Sequence, residues 1–285
     1  MVNIYEPGPL EGRLTHWPVL AASGALEVRL AETDAEVEAA QRLRYRVFYD
    51  EMSALPTPQQ REAQRDFDRF DDVCDHLLVV DRDRIEEDGQ PAVVGCYRLL
   101  RDVDAKRVGG FYTSSEYDLK PMLAGLPAGT KLLELGRSCV LKEYRSRPST
   151  MQLLWRGVMT YVARFSIDLM FGCASFSGSS PEEFALPLSY LHHYHLAPPE
   201  IRVHAQPDHY HNMNLMAKDA IDTKEAVRHL PPLLKGYVRA GALIGDGAVV
   251  DKQFHSVDVF IYFPVSTMDA RYRSRFQMKS EQTTQ

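Results

Sequence analysis

Residues 76–100 read HLLVVDRDRIEEDGQPAVVGCYRLL, and this stretch decides the fold. HLLVVD (76–81) and AVVGCYRLL (92–100) are apolar strands joined by a polar turn that carries Asp88-Gly89. Two such runs around an Asp-Gly turn make an antiparallel hairpin. Outward from it, ALEVRLAE (25–32) alternates like an edge strand, and KLLELGRSCVLK (131–142) is a third internal strand. FGCASFSG (171–178), IRVHA (201–205) and VDVFIYFPV (257–265) supply further strands. Helices alternate with them. Thr33 opens Thr-Asp-Ala-Glu, a capping box with Glu36, and Val37, Ala40, Leu43 and Val47 follow at helical spacing to about residue 50. RSRPSTMQ turns into a second helix, with Ser149 or Thr150 as cap and Leu154, Val158, Tyr161, Val162 and Phe165 on one face. Helices near 182–193 and from Pro231 through LLKGYVRAGALIG complete the set. An antiparallel hairpin within alternating strands and helices gives a mixed α/β sheet with helices on its faces. The reading is one domain over 25–270 with an enlarged C-terminal half, an arm at 1–24 and a polar tail at 271–285.

Composition narrows the function. The 285 residues are 45% hydrophobic and 25% charged, which is globular. Thirty-three basic residues against 39 acidic ones give a formal net charge of −6, which disfavours a protein that coats nucleic acid. Four cysteines without a CxxC pair argue against structural zinc and a disulfide framework, and fit reduced thiols in a cytosolic protein. No signal peptide and no transmembrane run is visible.

Six places carry candidate chemistry. Arg44-Tyr45-Arg46-Val47-Phe48 ends the first helix, and its bland reading is packing plus solvated arginines. Asp68 and Asp71 share a face in a helical turn and suit an ammonium, or simply a solvated acidic loop. Arg98 in an apolar strand wants an anionic partner, and Glu134, in another such strand, is the candidate. Strict alternation would send Glu134 and Arg137 to opposite faces; a bulge at Gly136 would turn both toward one cleft. Cys139 beside them reads as an inert strand cysteine rather than a nucleophile. Lys142, Arg145 and Arg147, with Ser149 and Thr150, stand at a helix N-terminus, which favours a phosphate or is simply an ordinary turn, since no P-loop motif is present. The histidines from His192 to His211 read as helix-end and loop packing, because HExxH is absent and no metal is expected.

The order RLRYRVF, RDFDRFDDVCDHLLVV, VVGCYRLL, LLELGRSCV, LSYLHHYHLAPPE, LPPLLKGYVRAGALIG and VDVFIYFP resembles the ornithine acyl-carrier-protein N-acyltransferases of ornithine-lipid synthesis, also labelled hemolysin-like, over about 26–265. The resemblance implies a fold similar to the GCN5-related N-acetyltransferases (GNAT-like). The first half also resembles the acyl-homoserine-lactone synthases, whose site motifs map onto Arg44 and Phe48, Asp68 and Asp71, Arg98, and Glu134 and Arg137. Those synthases place a Trp after the first helix; here Met52-Ser53-Ala54-Leu55 stands instead. That departure, and LPPLLKGYVRAGA, favour the lipid-forming branch.

What the resemblance implies is attack of ornithine's α-amine on a 3-hydroxyacyl thioester of acyl carrier protein. No cofactor is permanently bound; the acyl-phosphopantetheine of the carrier is the donor. Glu134 is expected as base, directly or through water, with a backbone N–H near Gly136–Ser138 for the oxyanion. Arg44 or Arg98 would take the carboxylate, and Asp68 with Asp71 the second ammonium. Lys142, Arg145, Arg147 and Arg156 would dock the acidic carrier, with Met151–Val158 and Leu186–Leu191 along the fatty chain. A lipid product implies a cytoplasmic enzyme with transient inner-membrane contact; the basic, aromatic tail 271–276 suits anionic headgroups but reads better as a solvated terminus. The rivals are acylation of lysine, glutamine or glycine, and a membrane-active protein without catalysis.

Overall fold

The structure, a computed structural model, describes residues 19–268. In chain order its strands and helices are β1 (Ala21–Ser23), β2 (Leu26–Leu30), α1 (Asp34–Tyr45), α2 (Pro58–Ala63), β3 (Asp75–Ile85), β4 (Pro91–Arg101) and α3 (Asp102–Ala105). Then come β5 (Tyr117–Asp118), α4 (Lys120–Gly125), β6 (Leu132–Val140), α5 (Lys142–Arg145), α6 (Pro148–Phe165), β7 (Leu169–Ser177) and α7 (Ala185–His195). The last are β8 (His204–Ala205), α8 (Thr223–His229), α9 (Pro232–Ala240), β9 (Leu243–Asp251) and β10 (Ser256–Pro264). The described strands form one mixed sheet in the order β1-β2-β3-β4-β6-β7-β10-β9-β8-β5. β6–β7 and β8–β9 are parallel; the other neighbours are antiparallel. The hairpin that decides the fold is β3–β4, paired from Asp75↔Leu99 to Ile85↔Pro91.

Helix α1 starts where the capping box places it. Thr33 Oγ1 accepts from Glu36 N–H at 3.3 Å and Glu36 Oε2 accepts from Thr33 N–H at 3.3 Å. It runs straight into a π-helical turn, Arg46–Glu51. Helix α6 buries Leu154, Val158, Tyr161 and Val162 in the main core, with Phe165 packed against it. α1 packs on β4 and β6, and α6 on β1, β2 and β3.

Several elements depart from the sequence reading. β1 lies outside β2, so residues 25–32 are not the edge. Arg147, not Ser149 or Thr150, is the N-cap of α6, and it makes no side-chain cap bond. Pro148 at the first helical position starts the helix earlier, its fixed φ suiting that site. IRVHA is strand only at His204–Ala205. The segment read as helix through Gly245 stops at Ala240, because Gly241 takes φ +102° and caps it. β9 and α8 were not anticipated. The tail 271–285 and residues 1–18 of the arm lie outside the described residues. No helix among the described residues is long and apolar enough to cross a membrane.

Candidate active site

The parallel pair β6–β7 is short. It pairs only Leu132↔Leu169, Leu133↔Met170 and Glu134↔Phe171, and then the strands part. Gly172 sits at the fork, where an added Cβ would lie 2.3 Å from the Leu135 carbonyl oxygen. Beyond it a cavity of about 640 Å³ opens between Gly136–Val140 of β6 and Cys173–Ser177 of β7. Val47, Phe48 and Met52 line it from the end of the first helix, and Pro231–Leu234 with Tyr237 from around α9.

A bulge shapes the β6 wall. Cys96 pairs with Cys139 and Arg98 with Gly136, so Arg137 and Ser138 face Tyr97 alone. Arg137 carries the left-handed φ of +50°, a cost that a non-glycine residue bears where surrounding structure holds it. The extra residue brings Glu134 and Arg137 onto the same cavity. The sequence reading expected a bulge here but assigned it to Gly136.

Glu134 is buried, and its carboxylate accepts from the N–H groups of Tyr112 at 2.9 Å and Thr113 at 2.7 Å. Burial raises its pKa, against the lowering effect of those bonds and of Arg98. It makes no ion pair with Arg98, contrary to expectation. Arg98 instead holds Asp68 at 2.7 Å and Asp71 at 3.6 Å. Beneath lies a dense network: Arg44 bonds Asp66 and Asp71, each at 2.7 Å, and Arg137 reaches Asp66 at 3.2 Å and Asp68 at 3.3 Å. Burial pushes the Asp66 carboxyl up, but Arg137, Arg44 and Arg98 outweigh it and hold the pKa at about 2. The Arg137 guanidinium also lies over the rings of Tyr112 (4.8 Å) and Phe254 (4.7 Å).

Asp251 and Asp258 line the far wall, and Glu116, just behind it, brings its carboxylate oxygen within 4.8 Å of theirs. Burial and the two aspartates push Glu116 up to about 8, and burial pushes Asp258 to about 6. At the near mouth stands the basic turn. Arg145 lines the cavity, donates to the Val140 carbonyl at 2.8 Å and pairs with Glu51. Arg147 lies 4.4 Å over the Tyr144 ring.

Residues 43–156 match the family model of the acetyltransferase (GNAT) domain. The L-ornithine N(alpha)-acyltransferase of Rhizobium meliloti (strain 1021) is 49% identical over 254 residues, 89% of this chain and 85% of that protein. That of Brucella abortus (strain 2308) is 49% identical over 258 residues, 90% of this chain and 91% of that protein. The chain belongs to the L-ornithine N(alpha)-acyltransferase family. It is an acyltransferase with a GNAT domain. An N-acyl amino acid synthase from uncultured soil microbes superposes with TM-score 0.48 at 11% identity, covering 88% of this chain and 94% of that one.

The cavity of this acyltransferase collects part of the residue set read from sequence. Phe48, Arg98, Glu134, Arg137, Ser138 and Arg145 line it. Arg44 does not: it is wholly buried and clamped by two aspartates, so it positions rather than touches. Asp68 and Asp71 are occupied by arginines, which leaves neither open to an ammonium. Lys142, Arg147 and Ser149 sit outside the cavity wall, and Thr150 is buried with its hydroxyl unpartnered among the described residues. Met151 lines the cavity, whereas Val158 belongs to the core and Leu186–Leu191 stay off the wall. Asp66, Glu116, Asp251 and Asp258 were missed. Asp66 stood within the acidic run that was singled out; the other three are far apart in sequence, and no local pattern joins them.

Proposed function

We propose that this enzyme moves an acyl group, a 3-hydroxyacyl chain, from the phosphopantetheine thioester of acyl carrier protein to the α-amino group of ornithine, giving a lyso-ornithine lipid. The observation that carries the reading is Glu134, a buried carboxylate of raised pKa on the wall of the β6–β7 fork, in a chain of this family. An ammonium cannot attack, so Glu134 takes its proton, directly or through water. The freed amine adds to the thioester carbonyl. The C–N bond forms, the C–S bond breaks, and the thiol leaves with a proton. Backbone N–H at the Arg137–Ser138 bulge meets the developing oxyanion. Arg98 and Arg137 face the cavity and suit the amino-acid carboxylate, with part of their charge already met by aspartates.

The donor enters from the basic turn. Helix α6 has 18 residues and no side-chain cap at its N-terminus; Pro148 has no N–H and Thr150 N–H donates to the Arg147 carbonyl at 3.1 Å, so the Ser149 N–H and the helix dipole remain for the pantetheine phosphate. Lys142, Arg145 and Arg147 are exposed there and complement an acidic carrier. Phe48, Met52, Met151 and Leu233 give the fatty chain an apolar wall. A lipid product places the work in the cytoplasm against the inner membrane.

The test is an acyl-transfer assay with the full chain, 3-hydroxyacyl carrier protein and a panel of amino acids, read by mass spectrometry. N-acyl-ornithine as the main product supports the reading. Product only from lysine, glutamine or glycine moves the acceptor. No product, with leakage from liposomes, returns the membrane-active reading.

A further inference from the structure

Ornithine carries a second ammonium, and the aspartates that sequence alone offered for it are held by Arg44, Arg98 and Arg137. A different set of carboxylates has no cation against it, although Asp251 Oδ1 accepts from the N–H groups of Gln253 at 2.7 Å and Phe254 at 3.0 Å. Glu116 follows the turn at Tyr112–Ser115, Asp251 ends β9 and Asp258 lies in β10. Their oxygens converge within 4.8 Å, and among the described residues none forms an ion pair. Two further atoms point to a missing ligand. Asp258 Oδ1 and Ser256 Oγ are buried with no partner in hydrogen-bond geometry, on residues only 7% and 5% exposed, and both residues line the cavity; the Ser256 and Ser175 hydroxyls stand near enough to Asp258 to lower its pKa, but neither closes a bond to Oδ1. A buried polar atom left unpaired costs free energy, so such atoms ordinarily meet a partner. The two sites are joined through Thr113 and Cys173. Thr113 N–H donates to Glu134, the Thr113 hydroxyl lies 4.0 Å from Cys173 Sγ, and Cys173 Sγ lies 3.6 Å from Glu116 Oε2.

We infer that Glu116, Asp251 and Asp258, with the Ser256 hydroxyl, form the subsite for the side-chain ammonium of the acceptor amino acid, and so determine its specificity. The inference rests on the acyl-transfer reading above. With the α-amine at Glu134, the side chain extends past Thr113 and Cys173, and its cation ends among the three carboxylates. An ammonium fits the Ser256 hydroxyl as well as the acids, since it offers three donors. A neutral side chain in the same place would leave the three acids without a cation and Asp258 Oδ1 and Ser256 Oγ without a partner, and sites built that way reject analogues that lack the polar group.

The experiment compares ornithine with norvaline, which has the same chain length without the second ammonium. Acyl transfer is measured for the wild type and for Asp251→Asn, Asp258→Asn and Glu116→Gln, each checked for a cooperative melt. Ornithine's own effect on Tm is recorded beside it. The wild type should prefer ornithine. The variants should lose roughly tenfold or more in kcat/KM for ornithine, change little for norvaline, and lose the ornithine-induced rise in Tm. Equal losses for both acceptors, or no loss for ornithine in any folded variant, overturns the subsite while the parent reading stands. Activity abolished by a chelator and restored by a divalent ion overturns it in favour of a metal. A wild type that acylates only uncharged acceptors overturns both readings.

Discussion

Glu134 and Arg137 belong to one β-strand with two residues between them, yet both open onto one cavity, because Arg137 and Ser138 bulge opposite Tyr97. The bulge sets a carboxylate beside a guanidinium without any loop. Glu134 also serves structure, since it accepts the buried N–H groups of Tyr112 and Thr113. Two variants separate the roles. Glu134→Gln keeps a side-chain oxygen for one of those N–H groups, and Glu134→Ala keeps none. Each orphaned buried N–H costs about 1–3 kcal/mol, so Ala should be the less stable in urea. Transfer should fall by roughly 10²–10⁴-fold in both if Glu134 is the base. Near-normal kcat for Glu134→Gln would remove it from proton transfer.

Arg44 and Asp66 form a pair that does not reach water, with side chains 0% and 1% exposed. Asp66→Asn breaks one side of that network and leaves Arg44 undercompensated. Breaking a buried pair in this way costs about 3–5 kcal/mol, which chemical denaturation would report. The pair also gives an acid limb. The folded Asp66 pKa, at about 2, lies below its ordinary 3.8. Its stabilisation is therefore present above that ordinary value and is lost as pH falls toward about 2. Asp66→Asn should flatten this limb; an unchanged acid transition would contradict the network's role.

The hairpin, the capping box and the α6 face were legible because period and turn chemistry agree within a few residues. β9 was not, because Gly245 and Gly247 interrupt its apolar run and it follows a helix without a polar break. The site was half legible. Arg98, Glu134 and Arg137 stand out as charges within apolar strands. Arg44, Asp68 and Asp71 stand out too, but sequence does not say which charges meet each other and which meet substrate. Only the fold pairs them off, and only the fold assembles Glu116, Asp251 and Asp258 from three distant segments.

Gly172 tests the fork itself. Its φ is +154° and a Cβ would stand 2.3 Å from the Leu135 carbonyl oxygen. That oxygen is backbone and cannot rotate away. Gly172→Ala must therefore push β6 and β7 apart where they last pair, next to Glu134. The expected outcome is a loss of several kcal/mol or an insoluble chain, with transfer lost in any folded fraction. A stable, active Gly172→Ala would mean that the fork is not fixed by this approach.

Cys139 lines the cavity, which invites a covalent acyl-enzyme. Its surroundings argue otherwise. Burial first, and then the Cys96 thiol 3.6 Å away, push its pKa well up, so little thiolate forms. Cys139→Ala should keep kcat within about threefold, since direct attack needs no enzyme nucleophile. A hundredfold loss, or an acylated Cys139 trapped in the mass spectrum, would restore the covalent route.

The last prediction concerns pH on the alkaline side. Glu116 is surrounded by Asp258, Asp251 and Cys173, with Arg137 as the countering cation. Burial and the aspartates raise its pKa from 4.5 to about 8. Between those values the native protein holds a proton that the unfolded chain has released. The native state thus binds more protons, and stability falls as pH rises through the window. Asp258, raised to about 6, adds a slope of the same sign at lower pH. Urea unfolding from about pH 5 to about pH 9 should show the decline, and Glu116→Gln should flatten its upper part. An ammonium among the three carboxylates favours their charged forms, so saturating ornithine should flatten it too, and norvaline should not. A wild-type curve that stays level across this range would mean that Glu116 is already ionised, and that a cation other than substrate compensates the cluster.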